Sequence, residues 1–207
     1  MRIIEGEADV AEGALWLSET HPYFAQILPG ITPLPLRLRP DGFGQLLGAI
    51  MGQQVSTASA AAIIAKLDAA GFLEEGAVAR ASEEELRACG LSRQKIRYAQ
   101  ELARARIDYA ALREADSAAV VKTLTAVPGI GAWTAEIYAM FSLGHADVFA
   151  PGDLALQIAV QDMLGLEARP SEKQLRLIAQ DWSPWRSVAA RALFAYYRVI
   201  KGREGLA

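Results

Sequence analysis

Cysteine is almost absent. Cys89 stands alone in a chain of 207 residues, which excludes an internal disulfide, a cysteine zinc cluster and a four-cysteine iron–sulfur centre. Histidine is nearly as scarce, and His21 and His145 lie too far apart to offer a metal-ligand spacing. No segment approaches the roughly 18 uninterrupted apolar residues of a membrane-spanning helix, and no basic stretch leads into an apolar run at the N-terminus. These absences point to a soluble chain of the cytoplasm with no membrane partner. Basic residues are not in excess either: 21 Lys and Arg stand against 24 Asp and Glu, for a formal charge of −3. Net charge therefore does not favour a polyanionic partner, and any such contact must rest on a local basic surface.

The chain is rich in core-forming residues. Of all residues 52% are hydrophobic and 22% charged, too apolar for disorder and enough for one ordinary domain or two small lobes. β alternation over successive segments is missing, so the pattern predicts an all-α fold of roughly ten short helices. Val10–Leu17 and its flanks suggest a first helix. Pro22 and the four prolines from Pro29 to Pro40 then interrupt regular structure and suggest an extended connector between lobes. Phe43–Leu67 reads as one or two helices. Ser82 and Glu85 form a capping box for Glu83–Ala88, which Cys89-Gly90 ends. Ser92 caps a helix running to about Ala105, with Ile96, Ala99, Leu102 and Ala103 as its apolar stripe. Ser117 caps Ala118–Leu124. Helices are expected over Ala132–Phe141, Asp153–Met163, Ser171–Ala179 and Ser187–Lys201, with a frayed tail from Gly202.

Between two of these helices lies Val127-Pro-Gly-Ile-Gly131. Gly129 and Gly131 let a turn bring backbone N–H groups to its surface without covering them. Thr134 falls near the next helix N-terminus, where unpaired amides favour an anion. A DNA phosphate suits such a turn; a plain structural turn is the competing reading. Gln53 and Gln54 are polar in an otherwise apolar segment, and Arg93, Lys95 and Arg97 make a locally basic stretch open to phosphate contact or simple solvation. Asp153, after Pro-Gly, can be a helix cap.

Leu124-Thr-Ala-Val-Pro-Gly-Ile-Gly-Ala-Trp-Thr-Ala135, followed by Asp147-Val-Phe-Ala-Pro-Gly-Asp153, resembles the signature of the helix–hairpin–helix DNA glycosylase superfamily, nearest to bacterial 3-methyladenine DNA glycosylase II. Ile50-Met-Gly-Gln-Gln-Val-Ser56, Gly90-Leu-Ser-Arg-Gln-Lys-Ile-Arg-Tyr98 and Trp182-Ser-Pro-Trp-Arg-Ser-Val-Ala189 agree with it, so that the likeness spans about residues 43–200. It implies a compact family form without the extra N-terminal α/β domain. Residues 1–40 and 151–207 would form one lobe and 41–150 the hairpin lobe, with the active site in the cleft.

The resemblance implies that Asp153 is the catalytic carboxylate, either stabilising charge on the sugar or orienting water. A second acid often precedes it in the family; here that residue is Gly152. Trp133 falls where bifunctional relatives carry a lysine, so hydrolysis without strand cleavage is implied, with the indole stacking on an electron-poor base. Phe194 matches another pocket aromatic, while Ile137 and Leu154 replace two more, which implies an altered base preference. Gln53, and less so Gln54, would approach the flipped nucleotide. Trp182, Trp185 and Arg186 would brace the lobes. The backbone carbonyls of Thr125, Val127 and Ile130 would hold a monovalent cation, Na+ or K+; hydrolysis requires no cofactor. The expected partner is double-stranded DNA carrying alkylated bases, bound by a monomer at the nucleoid. The expected reaction is hydrolytic release of 3-methyladenine and 7-methylguanine, the alternatives being a glycosylase for other damaged bases or a noncatalytic damaged-DNA-binding module.

Overall fold

Local capping chemistry sets most of the element boundaries. The computed structural model describes residues 1–204. Among them, α1 (Glu7–Thr20), α2 (Pro22–Ile27), α3 (Phe43–Met51), α4 (Thr57–Ala69), α5 (Glu75–Arg80), α6 (Glu83–Ala88), α7 (Arg93–Arg104), α8 (Tyr109–Glu114), α9 (Ser117–Thr125), α10 (Ala132–Phe141), α11 (Leu154–Met163), α12 (Glu172–Ile178) and α13 (Arg186–Glu204) follow in order. Short 3₁₀ turns occupy Leu28–Gly30 and Ala179–Trp182. The fold is all-α; a single isolated bridge, Ile3 with His145, is the only β pairing among the described residues. No described helix is long and apolar enough to cross a membrane.

Ser82 and Ser171 make the reciprocal capping boxes with Glu85 and Gln174, and Ser56 and Ser92 cap α4 and α7. Two expectations are corrected. Pro22 does not interrupt structure but opens α2, since its fixed φ and missing N–H suit a first helical turn. Asp116, not Ser117, caps α9 through Ala119 N; its carboxylate is the stronger acceptor. Asp153 stands just outside α11 as its cap, in keeping with its place after Pro-Gly. The tail expected to fray from Gly202 is helical through Glu204; residues 205–207 lie outside the described residues.

The chain divides into two units, Met1–Leu38 with Ala139–Ala207, and Arg39–Tyr138. In the first, α1 lies against α13 and α11 runs along it. Gly13 makes that first contact possible, because a Cβ there would stand 2.7 Å from Trp185 and Val188 side-chain atoms. Trp182 is fully buried and donates to Tyr23 OH at 3.0 Å. Arg2 stacks 4.1 Å over Trp185, and Arg186 holds Asp147 through Nε at 2.5 Å. Tyr23, Gly13, Arg2 and Asp147, the partners of this tryptophan–arginine stretch, all lie within the first unit. Arg191 is buried outright and donates to the carbonyls of Leu36, Ser187 and Met140; burial pulls its pKa down to about 10.

In the second unit α7 is the common strut, packing on α3, α5 and α6. Its predicted stripe, Ile96, Ala99, Leu102 and Ala103, is buried, as are Leu46, Leu47 and Ile50 of α3. Each fully buried aliphatic side chain contributes about 1.5–3 kcal/mol.

Candidate functional site

The hairpin is built by short local bonds. Val127 N–H donates to Leu124 O, Ile130 N–H to Val127 O and Ala135 N–H to Gly131 O, each at 3.1 Å. Val127 and Ile130 turn inward and are buried, leaving Pro128 and Gly131 exposed. Gly129 is required twice over. Its φ of 95° is a left-handed value that side chains disfavour, and a Cβ would sit 2.4 Å from Tyr98 Cγ. Gly131 has neither restriction, and a Cβ there would meet open space. Thr134, third in α10, is buried at 7% exposure, so the hairpin's outward surface is backbone rather than this hydroxyl. The carbonyls of Thr125, Val127 and Ile130 are neutral, hard oxygens of the kind that suits Na+ or K+, and one lone pair of Val127 O is taken by Ile130 N–H. No cluster of three or more His, Cys, Asp or Glu side chains offers another metal site among the described residues.

The loop after α3 is joined to this hairpin. Gln53 Nε2 donates to Gly129 O at 2.8 Å, whereas Gln54 is exposed with a left-handed φ of 57°. Of the two glutamines, Gln54 is therefore the one presented outward. Arg93 and Arg97, four residues apart, are exposed on α7. Lys95 departs from the basic face expected of it: it is 9% exposed, and its Nζ donates to Met51 O at 2.6 Å. Burial pushes its pKa below the ordinary value. A cavity of about 260 Å³ adjoins it, lined by Gln53, Gln54, Gln94 and Tyr98 among others.

Trp133 and Ile137, one turn apart on α10, are exposed and half-buried; the indole is 46% accessible, too open for a core anchor. In the other unit Asp153 Oδ1 accepts from Ala155 N at 2.9 Å and Leu156 N at 3.3 Å. The half-buried carboxylate is thereby oriented by the first amides of α11. Leu154 beside it is 54% exposed. Gly152 is not remote from acid: a Cβ there would lie 3.4 Å from Glu172 Oε2, on α12. Phe194 is half-buried, 6.3 Å from Phe141 centroid to centroid, with the Arg37 guanidinium 5.7 Å from its ring centre. Sequence reading missed Arg37 and Glu172. Arg37 carried no local signal, and Glu172 read only as the first residue of a capped helix.

A family model described as HhH-GPD superfamily base excision DNA repair protein matches residues 47–184. Over 163 residues the chain is 30% identical to Escherichia coli DNA-3-methyladenine glycosylase 2, covering 72% of this chain and 55% of that protein. A shorter stretch of 71 residues is 44% identical to a probable bifunctional transcriptional activator/DNA repair enzyme AlkA of Mycobacterium tuberculosis, covering 34% of this chain and only 14% of that protein. The chain thus spans a minor part of the tuberculosis relative and about half of the other. The crystal structure of a DNA-3-methyladenine glycosidase from Bacillus halodurans superposes with a TM-score of 0.81 at 29% identity, over 98% of this chain and 95% of that one.

Proposed function

The chain belongs to the HhH-GPD superfamily of base excision DNA repair proteins, and we propose that it is a monofunctional DNA glycosylase acting on alkylated bases in double-stranded DNA. Its chief substrates are 3-methyladenine and 7-methylguanine, and it works as a monomer at the nucleoid, in the cytoplasm. The observation that carries this reading is Asp153, the residue at the family's carboxylate position, fixed by two α11 amides before any substrate arrives.

The chemistry follows from the substrate's charge. N3- or N7-alkylation leaves the purine cationic, so it departs with the glycosidic electron pair as a neutral base and needs little acid assistance. Positive charge then grows on the sugar, where the Asp153 carboxylate stabilises it or orients the incoming water. Water adds to the anomeric carbon, loses a proton to the surroundings, and an abasic site remains. Trp133 supplies an exposed indole face for the electron-poor base. It has no amine to form a Schiff base, so the strand stays intact. Extruding the base costs a few kcal/mol, least at an already weakened pair. Gln54, outward on its loop, would fill the vacated stack, and the hairpin amides would hold phosphate. The carbonyls of Thr125, Val127 and Ile130 would hold a monovalent cation, which would supply charge neutralisation.

Chromatography of free bases after incubation with methylated and with 8-oxoguanine duplexes tests the reading. Expected are 3-methyladenine and 7-methylguanine, with strand breaks appearing only after alkali. Tight lesion binding without release would favour a noncatalytic damage-binding module, and release of 8-oxoguanine alone a different glycosylase branch.

A further inference from the structure

The basic stretch on α7 contains one lysine that cannot serve as an ordinary surface cation. Arg93 and Arg97 are exposed, but Lys95, on the opposite side of the helix, is buried against the end of α3. The carbonyls that end a helix lack intrahelical donors and carry the negative end of its dipole. The Lys95 ammonium answers one of them, Met51 O, at 2.6 Å. Met51 is the last residue before the loop that presents Gln54. At its centre the same loop is tied to the hairpin by Gln53 and Gly129 O. The hairpin in turn packs Gly129 on Tyr98, which lies on α7 one turn beyond Lys95. Three contacts therefore close a ring through α7, the loop and the hairpin, and Gln54, with its left-handed backbone, is the outward residue that directly follows the Gln53 anchor.

We propose that Lys95 is a positioning residue, holding the Gln53–Gln54 loop in register with the hairpin so that the loop can fill the gap left by an extruded base. This rests on the glycosylase reading and adds to it a residue that acts through the loop without touching DNA. A loop whose Met51 end is released from Lys95 would still allow the hairpin to grip phosphate, because the hairpin's own bonds remain. Extrusion from an intact pair would suffer, since it depends on a side chain arriving in the stack. Capture of a nucleotide that is already unpaired would not.

The test compares Lys95→Met, which keeps the stem and removes the donors, with wild type on two substrates: 7-methylguanine paired with cytosine, and 7-methylguanine opposite an abasic analogue. Loss of a charged hydrogen bond predicts about tenfold slower single-turnover release from the paired site, less than about twofold from the unpaired one, and recovery of the paired rate in Lys95→Arg. The slope of log affinity against log salt should stay unchanged, whereas a phosphate-binding lysine would lower it by about 1. A second readout needs no chemistry: 2-aminopurine beside an abasic analogue in duplex DNA should respond to wild-type binding and respond less to Lys95→Met. If Lys95→Met does not fold, Lys95→Gln is measured in the same way. Equal slowing on both substrates, or a reduced salt slope, overturns the proposal. A wild-type 2-aminopurine response without any base release would overturn the glycosylase reading instead, while the fluorescence still decides on Lys95.

Discussion

Gly129→Ala is the substitution whose cost the geometry defines most closely. Two separate penalties meet at this residue. A non-glycine residue held at φ 95° costs on the order of 1–3 kcal/mol. The new methyl would also sit 2.4, 2.7 and 2.8 Å from Tyr98 Cγ, Cδ2 and Cβ. Those atoms are near the root of the side chain, so Tyr98 cannot swing clear without moving α7, and overpacking of this kind costs roughly 1–3 kcal/mol more. The sum, about 2–6 kcal/mol, corresponds to a fall in Tm on the order of 10 °C for a chain of this length. Thermal and urea unfolding of four proteins separates the two penalties: wild type, Gly129→Ala, Tyr98→Ala and the double variant. Removing the ring relieves the contacts with Cγ and Cδ2 but leaves the Cβ contact at 2.8 Å and the backbone strain, so the double variant should be more stable than the sum of singles by about 1–2 kcal/mol. Gly131→Ala, with no left-handed φ and open space around its Cβ, should lose under about 1 kcal/mol. Additivity within about 0.5 kcal/mol, or equal losses at the two glycines, would refute the reasoning.

Three further outcomes follow from the same geometry. Burial would raise the Asp147 pKa, but hydrogen bonds from Arg186 and Ser183 outweigh it and hold the carboxyl below its ordinary 3.8. Its contribution to stability is thus complete above that value and lost as pH falls through the lower folded-state value, so acid unfolding of Asp147→Asn should be flatter below pH 3.8 than that of wild type. Trp133→Leu should slow release of cationic 7-methylguanine by about 2–30-fold, the range of a cation–π contact, and slow neutral hypoxanthine less; equal effects in single-turnover assays would count against stacking. Gly13→Ala gains roughly 1 kcal/mol of helix propensity but forces a methyl to 2.7 Å from Trp185 and Val188. The crowding should win, lowering Tm by a few degrees on a melting curve.

The elements that were legible in the sequence are those governed by neighbours in the chain. Ser82, Ser92 and Ser171 announce their helices because capping needs residues only three positions away. The Gly129 turn was readable because few backbones other than glycine tolerate such a φ. Three short helices, α2, α5 and α8, escape the sequence pattern; six residues each, they are held by packing more than by propensity. At the site, the positions of Asp153 and Trp133 came from motif likeness, and the oriented carboxylate and the exposed indole from the structure. The fate of Lys95 was invisible: Arg-Gln-Lys-Ile-Arg reads as a basic surface until α3 is placed against it, and Met51 O lies 44 residues away in sequence. Arg37 beside Phe194, and Glu172 beside Gly152, are likewise products of tertiary packing.

The most direct test of the central claim is release of free base from methylated duplex DNA by wild type and by Asp153→Asn, with folding of both checked by circular dichroism. The substituted side-chain amide can still accept the α11 N–H bonds through its carbonyl, so the cap survives while the negative charge is lost. The account predicts release of 3-methyladenine and 7-methylguanine by wild type and a loss on the order of 10²-fold or more in the variant. Undiminished release by Asp153→Asn would contradict the assignment of the essential carboxylate, and a folded wild type that releases neither base would contradict the alkylpurine glycosylase itself.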